Sequence, residues 1–267
     1  MNAAPDTMTS TSPLIDEIDA QLDQLAPITL DEINTEARLM TRVDRKYFLP
    51  RELFSDLIDA TSDDFRVLTI EEKRRFMYRT VYFDSPEFRF FRDHVQRRRH
   101  RFKVRTRTYV DTGTCHLEVK SKGYRGQTVK QRIDHPIEDP WNLTEAGTEF
   151  IDSIVAGAPG QTLLSEQLQP VLETIYDRIT LCHDGQRLTC DLDIRAVNGD
   201  DSHVGPQDVL VETKSEGGSG LWDQLLKEAG IRPHQVSKYC VAAALLYPEL
   251  PSNPWARTID HYFRAAA

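Results

Sequence analysis

A chain of 267 residues with 39% apolar side chains can bury a large core, and its length fits one large domain better than several. Its formal charge of −9, from 33 basic and 42 acidic residues, makes the average surface repel nucleic acid and anionic membrane, so neither is an expected partner. No basic leader feeds an apolar stretch and no apolar run approaches the ~18 residues that span a bilayer. The cysteines Cys115, Cys182, Cys190 and Cys240 lack zinc-like spacing. The expected setting is therefore cytoplasmic, without direct membrane insertion.

Residues 1–12 are small and polar and are expected to be disordered. Ile15, Ile18, Leu22 and Leu25 then recur at helical spacing, which predicts a short amphipathic helix or an ordered arm. A weaker pattern through Leu53, Leu57 and Ile58 predicts a helix over 50–60, following the segment 46–49. From about Arg74 the period changes to two. Alternation over 75–83, 101–110, 115–121, 127–134, 171–181, 188–196 and 209–215 predicts strands of an antiparallel sheet. Turn residues at Asp111-Thr112-Gly113, Lys122-Gly123, Asp184-Gly185 and Asn198-Gly199 divide them into hairpins. Residues 136–168 read as helical or irregular, with 143–154 the best helical stretch, and further helices are expected near 220–229 and from Ser237 through 246. The proline-bearing segment 247–255 should pack loosely or mark a boundary.

In an antiparallel strand, residues i and i+2 share a side, and one side is normally apolar core. Here Lys103, Arg105, Arg107 and Tyr109 share one face, against Phe102, Val104, Thr106, Thr108 and Val110. His116, Glu118 and Lys120 oppose Leu117 and Val119, and Thr128, Lys130 and Arg132 oppose Val129 and Ile133. Later, Tyr176, Arg178 and Thr180 oppose Ile175 and Ile179; Asp191, Asp193 and Arg195 oppose Leu192 and Ile194; Glu212 and Lys214 oppose Val211. A solvated face accounts for any one of these strands. Together, their excess of Arg and Lys favours a closed barrel whose apolar face packs outward on helices and whose polar face lines a wet interior. Such an interior is costly unless its cations meet carboxylates or a bound anion. Closely spaced phosphates match guanidinium and ammonium groups, and Glu118, Asp191, Asp193 and Glu212 are candidates to hold Mg2+ or Mn2+.

The segments RKYFL at 45–49, YRTVYFDS at 78–85, KVRTRTY at 103–109, HLEVKSK at 116–122, TVKQR at 128–132, YDR at 176–178, LDIRA at 192–196, VETK at 211–214 and SKY at 237–239 stand in an order that resembles the VTC domain. That domain is the polyphosphate polymerase member of the CYTH-like triphosphate tunnel superfamily, and the resemblance covers about residues 37–248. It implies an α+β fold, an eight-stranded antiparallel β-barrel tunnel with a polar interior and flanking helices. Residues 1–36 would be an N-terminal tail and short helix, 37–250 the tunnel domain, and 251–267 a C-terminal tail.

The resemblance further implies an enzyme that moves the γ-phosphoryl group of ATP onto polyphosphate with a divalent metal. Carried over by motif, Lys46, Arg105, Arg107, Lys120, Lys130, Arg178, Arg195 and Lys238 are phosphate ligands. Arg105, Arg107, Lys130 and Arg178 would flank the reacting phosphates, while Lys46, Lys120 and Lys238 bind farther along the chain or steady the leaving diphosphate. Glu212 would be the main ligand of Mn2+ or Mg2+. Glu118 would be a weaker metal ligand or would orient its basic neighbours. Asp44 stands where the superfamily commonly has a longer Glu, which puts a carboxylate contribution there in question. Product translocation would need a separate membrane protein, placing this chain at the inner face of the membrane through that partner. Two other functions fit the same residues: a metal-dependent triphosphatase or polyphosphatase, and a noncatalytic polyphosphate or nucleotide sensor. Arg97, Arg98, Arg99 and Arg101 read equally as a basic mouth or a solvated turn, His94, His100, His116, His183 and His234 as structural or surface groups, and Tyr78, Tyr82 and Phe83 as packing or an adenine-stacking surface.

Overall fold

The computed structural model describes residues 13–37, 42–122, 128–156, 158, 165–199 and 201–264. The expected disorder of 1–12 and the Gly123 side of the 122–123 turn lie outside them. The N-terminal elements are α1 (Pro13–Gln24), β1 (Ala26–Ile28), α2 (Leu30–Ala37), β2 (Arg42–Leu49), α3 (Arg51–Ala60) and β3 (Arg66–Leu68). The central run holds β4 (Arg75–Asp84), α4 (Arg89–Val95), β5 (Arg101–Tyr109), β6 (Thr114–Lys122), β7 (Thr128–Asp134) and α5 (Glu145–Val155). Then come β8 (Gln169–His183), β9 (Gln186–Asn198), β10 (Asp201–Val204), β11 (Val209–Glu216), α6 (Leu221–Glu228) and α7 (Lys238–Leu246).

Within the described residues all seven period-two segments fall on strands, Val110 alone passing into the short turn after β5. The Asp184-Gly185 turn joins β8 to β9 with both residues at positive φ (40° and 70°), the conformation a tight two-residue hairpin needs. The segment 46–49 belongs to a full strand, β2, which pairs with β11 from Leu49↔Val209 to Arg42↔Glu216.

The sheet order β2-β11-β9-β8-β4-β5-β6-β7 is antiparallel throughout. It corrects the expectation of a closed eight-stranded tunnel. The path ends at β2 and β7, which do not pair among the described residues; the sheet curls 198° round its axis and leaves its edges 10 Å apart. Neighbouring strands sit ~4.8 Å apart, so this gap exceeds one ladder spacing. The reason lies in β7. Nearly all of its residues are exposed, Val129 among them at 46%, and its Lys130 and Arg132 are the charges that keep an edge strand from pairing.

The apolar face of the curl packs outward, as the alternation predicts. Tyr47, Leu49, Ile179, Leu181, Leu188, Cys190, Val209 and Val211 meet Ile18 and Leu22 of α1, Phe54 and Ile58 of α3, and Trp222 and Leu226 of α6. Val81, Phe83, Phe102, Val104, Leu117 and Val119 meet Ile151 and Val155 of α5. A third cluster fills one end of the concave side. There α7 packs on Tyr78, Tyr82, Leu172, Tyr176, Ile194 and Leu210. Its sequence KYCVAAALL is apolar all round because nearly all of it is buried. Trp255, Ile259 and Phe263 join the same cluster, so the segment after the prolines is anchored by buried side chains.

Candidate functional site

The other end of the concave face is polar. Among the described residues Lys46, Lys103, Arg105, Arg107, Lys120, Lys130, Arg178, Lys214 and Lys238 converge there, with Glu118, Asp191 and Glu212 in ion-pair contact among them and Asp44 and Arg187 in register with Lys214 at the rim. Glu118, 1% exposed, accepts from Arg105 Nε at 2.9 Å and Nη2 at 2.6 Å and from Lys130 Nζ at 3.0 Å, with Arg107 at 3.9 Å. Asp191, also 1% exposed, takes a bidentate fork from Arg178 at 2.6 and 2.8 Å and a second bond from Lys238. Glu212 accepts from Lys46 at 2.6 Å and lies 3.3 Å from Lys214.

These pairs shape the protonation states. Burial pushes all three carboxyls up, but the cations outweigh it. Asp191 is held at about 2 by Arg178 and Lys238, while Glu118 lies far below the usual range beside Arg105 and Arg107, as does Glu212 beside Lys214 and Lys46. The lysines move the other way. Burial lowers Lys103 and Lys214 to about 8, with Lys120, Arg105 and Lys46 adding to the effect at Lys103. Two tyrosines form the floor. Tyr78 and Tyr176 stack with centroids 5.6 Å apart; Arg178 lies 5.0 and 5.3 Å from their rings, and Lys238 4.8 Å from that of Tyr176. The Tyr176 hydroxyl is buried with no hydrogen-bond partner among the described residues.

Local sequence explains the placements. The Ser-Lys-Tyr triplet at 237–239 starts α7: Ser237 caps it by accepting from Cys240 N at 3.4 Å, Lys238 reaches Asp191, and Tyr239 donates to Asp84. Asp84 also accepts from the backbone N–H of Phe90 and Phe91 at 2.8 and 2.9 Å, which ties α4 and α7 to the end of β4. Arg98, in the basic run before β5, lies 3.2 Å from buried Asp93.

Seven of the eight predicted phosphate ligands, Lys46, Arg105, Arg107, Lys120, Lys130, Arg178 and Lys238, fall in this group. Arg195 does not. A bulge in β9 sets Leu192 opposite Asp177 but Arg195 opposite Ile175, with Asp193 at φ 51° as the extra residue. Parity therefore inverts after Asp191. Ile194 turns into the α7 core, Arg195 is exposed, and Asp193 pairs with Arg51 of α3. The strict period-two reading of 188–196 could not see that bulge. Lys103 and Lys214 were visible on the right faces but matched no ligand position by motif; their neighbours identify them.

The residues fit a divalent metal in one way. Among the described residues no three acidic, His or Cys side chains form a ligand cluster. Mg2+ and Mn2+ take one or two carboxylates and complete their shells with water and substrate phosphate oxygens. Glu212, 17% exposed, can supply such a single carboxylate. Both carboxylates are engaged by cations, Glu118 by Arg105 and Lys130 and Glu212 by Lys46 and Lys214, but Glu118 is 1% exposed against 17% for Glu212, so Glu212 is the more accessible of the two and Glu118 orients its basic neighbours here.

The chain thus pairs an acidic overall charge with a cation-lined concave face on a curled, open antiparallel sheet backed by outer helices. The chain matches the VTC domain family over residues 41–247 and belongs to it, and so to the CYTH-like triphosphate tunnel superfamily, whose members include cyclases, triphosphatases and polymerases. Among solved structures it is similar to an adenylate cyclase candidate from Bacillus halodurans, at 15% identity over 74% of this chain and 94% of that one with a TM-score of 0.45. A protein from Hippeastrum, whose structure carries the description of a dominant triphosphatase activity, matches at 16% identity over 79% and 98% with a TM-score of 0.45. A Pyrococcus horikoshii protein matches at 13% over 77% and 99%, again with 0.45. No curated protein matches at the same level of significance. No helix among the described residues is long and apolar enough to cross a membrane.

Proposed function

We propose that this chain is a polyphosphate polymerase-like phosphotransferase that moves the γ-phosphoryl group of ATP onto polyphosphate. The observation that carries the reading is the charge imbalance of the concave face, where among the described residues the cations outnumber the carboxylates Glu118, Asp191, Glu212 and Asp44 in a chain whose net charge is −9. Phosphoryl transfer needs positioning and charge neutralisation rather than a protein nucleophile, and this face offers both. Arg105, Arg107, Lys130 and Arg178 flank the reacting phosphates. Lys46, Lys120 and Lys238 hold the phosphates on either side and steady the leaving diphosphate. Arg105 and Arg178 stay fully protonated, since Glu118 and Asp191 offset the burial that opposes their charge. Glu212 would hold Mg2+ or Mn2+, which when bound neutralises charge on bridging phosphate oxygens.

The open side between β2 and β7 favours a second reading, transfer to water, which would make the chain a triphosphatase. One experiment separates them. The protein is incubated with ATP, Mn2+ and a short polyphosphate primer, and the products are resolved by chain length while ADP and free phosphate are followed. Elongation with stoichiometric ADP is the expected result; free phosphate without elongation would replace the polymerase by the hydrolase.

A further inference from the structure

The outer face behind the three site carboxylates differs from strand to strand. Glu118 is flanked along β6 by Leu117 and Val119, and Asp191 along β9 by Cys190 and Leu192, all fully buried among apolar neighbours. Glu212 is flanked on β11 by Val211 on one side and by Thr213 on the other, a buried hydroxyl, with a second one, Ser215, two positions further on. Hydroxyls in an apolar layer are unfavourable unless each finds a partner. Here they share one, the buried carboxylate of Asp223 in the first turn of α6.

Asp223 accepts from Thr213 Oγ1 at 2.7 Å, Ser215 Oγ at 3.1 Å, Tyr47 Oη of β2 at 2.8 Å and Gly220 N at 3.2 Å, and Arg45 of β2 lies 3.9 Å away. An acid in the first turn of a helix needs only the bond to Gly220, which satisfies a free N–H at the helix start. The three hydroxyls are additional, and they come from the two strands that carry Lys46, Glu212 and Lys214. In the register of those strands Lys46 faces Glu212 and Arg45 faces Thr213. The residues held on the outer face therefore alternate with residues that point into the site: Arg45 and Tyr47 bracket Lys46, and Thr213 stands between Glu212 and Lys214. Among the described residues β2 is also the last strand of the sheet path, laddered to β11 on one side, while its other edge meets the backbone N–H of His234 at Lys46 O.

We infer that Asp223 is a positioning residue: by holding β2 on β11 from outside the sheet it fixes Lys46, Glu212 and Lys214 as a metal-binding row, and so does for this edge what a second ladder would do in a closed barrel. This rests on the reading of Glu212 as the carboxylate that holds Mg2+ or Mn2+, and adds the group that sets its position. Glu212 has one oxygen 2.6 Å from Lys46 and the other 3.3 Å from Lys214, so the room left for a metal depends on where the two strands hold those amines. A register slip by one residue would turn all three side chains outward. Asp223 touches neither the metal site nor substrate, and acts through orientation, as groups behind a metal ligand do.

The test is a titration of Mn2+ into the full-length chain loaded with tripolyphosphate, with bound metal followed by electron paramagnetic resonance, a readout that needs no turnover. Asp223→Asn keeps the shape and should weaken Mn2+ binding about tenfold, the low end of what removing an orienting group behind a metal ligand costs. Tyr47→Phe and Thr213→Val each delete one hydroxyl bond with little change of shape and should weaken it about threefold, the worth of one ordinary hydrogen bond. Leu226→Ala removes fully buried packing from the same helix and should lower the melting temperature while leaving Mn2+ affinity unchanged. Tripolyphosphate affinity in EDTA should stay at the wild-type value in all four variants. Wild-type Mn2+ affinity in Asp223→Asn, an equal loss in Leu226→Ala, or an equal loss of tripolyphosphate affinity in EDTA overturns the positioning role. Glu212→Gln separates the two readings: if it leaves Mn2+ binding intact, the metal site falls and the positioning role with it, whereas a loss in Glu212→Gln without one in Asp223→Asn, Tyr47→Phe and Thr213→Val refutes the positioning role alone.

Discussion

Replacing Glu118 by Gln tests whether the concave face is a site waiting for an anion or a salt-bridge network that serves stability alone. The side chain is 1% exposed and accepts three bonds of 3.0 Å or less from Arg105 and Lys130, with Arg107 also within 4 Å. Gln keeps the shape but removes the charge that compensates these cations. Breaking a buried pair by removing one partner costs about 3–5 kcal/mol. Because Lys130 is 46% exposed and recovers hydration, the low end, about 3 kcal/mol, is expected. At about 2–4 °C per kcal/mol for a domain of this size, the melting temperature should fall by about 6–12 °C. Scanning fluorimetry with tripolyphosphate then supplies the missing negative charge, and the deficit relative to wild type should shrink by half or more. Leu117→Ala, on the opposite face of the same strand and 0% exposed, should lose a comparable 2–5 kcal/mol that tripolyphosphate does not repair. A deficit identical with and without tripolyphosphate would refute the reasoning, as would an unchanged melting temperature.

Three further outcomes are expected. Glu212→Gln should reduce metal-dependent turnover by about a hundredfold or more while tripolyphosphate binding in EDTA persists, and full activity in this variant would remove Glu212 from the metal site. Unliganded protein should become more stable between pH 8 and 9.5: Lys103 and Lys214 have folded values of about 8 against 10.5 when free, so the unfolded chain binds more protons in that window and the unfolding free energy rises with pH, by about 1–3 kcal/mol in urea titrations. A flat or falling profile would contradict the burial of both amines. Trp255→Ala should cost about 3–5 kcal/mol, since this 8%-exposed ring anchors the C-terminal segment in the core cluster against Phe91 of α4; a loss under 1 kcal/mol by denaturant midpoint would show that segment to be dispensable.

Period-two alternation was a sufficient guide to seven of the strands and, apart from Arg195, to which face their cations occupy, because side-chain direction in a strand is local geometry; β2, which carries Lys46, was not legible from it. It failed at Asp193, where one residue with positive φ shifts parity and sends Arg195 outward; nothing in the segment LDIRA marks such a bulge. Closure was beyond it too. Whether β7 meets β2 depends on two edges separated by most of the chain, and the exposed side chains along β7, which oppose closure, read in the sequence as ordinary alternation. The concave placement of α7 was equally hidden. Its apolar run was legible as a helix, but a helix buried on all sides has no polar stripe to say which layer it enters.

The placement of α7 explains how an open half-barrel can hold its cations in position. With one end of the concave side filled by Tyr239, Cys240 and Val241, the inward side chains of β4, β8 and β9 pack on a helix rather than on water. Asp84 then links α7 through Tyr239 to the first turn of α4 and the end of β4, so Lys238 is carried on a helix fixed at its first turn. Lys238 and Arg178 share Asp191 directly beside that anchor. The opposite lip, β7, has no such support and is nearly all exposed. Helix-anchored cations therefore lie on the α7 side, and the more exposed Lys130 lies on the β7 side.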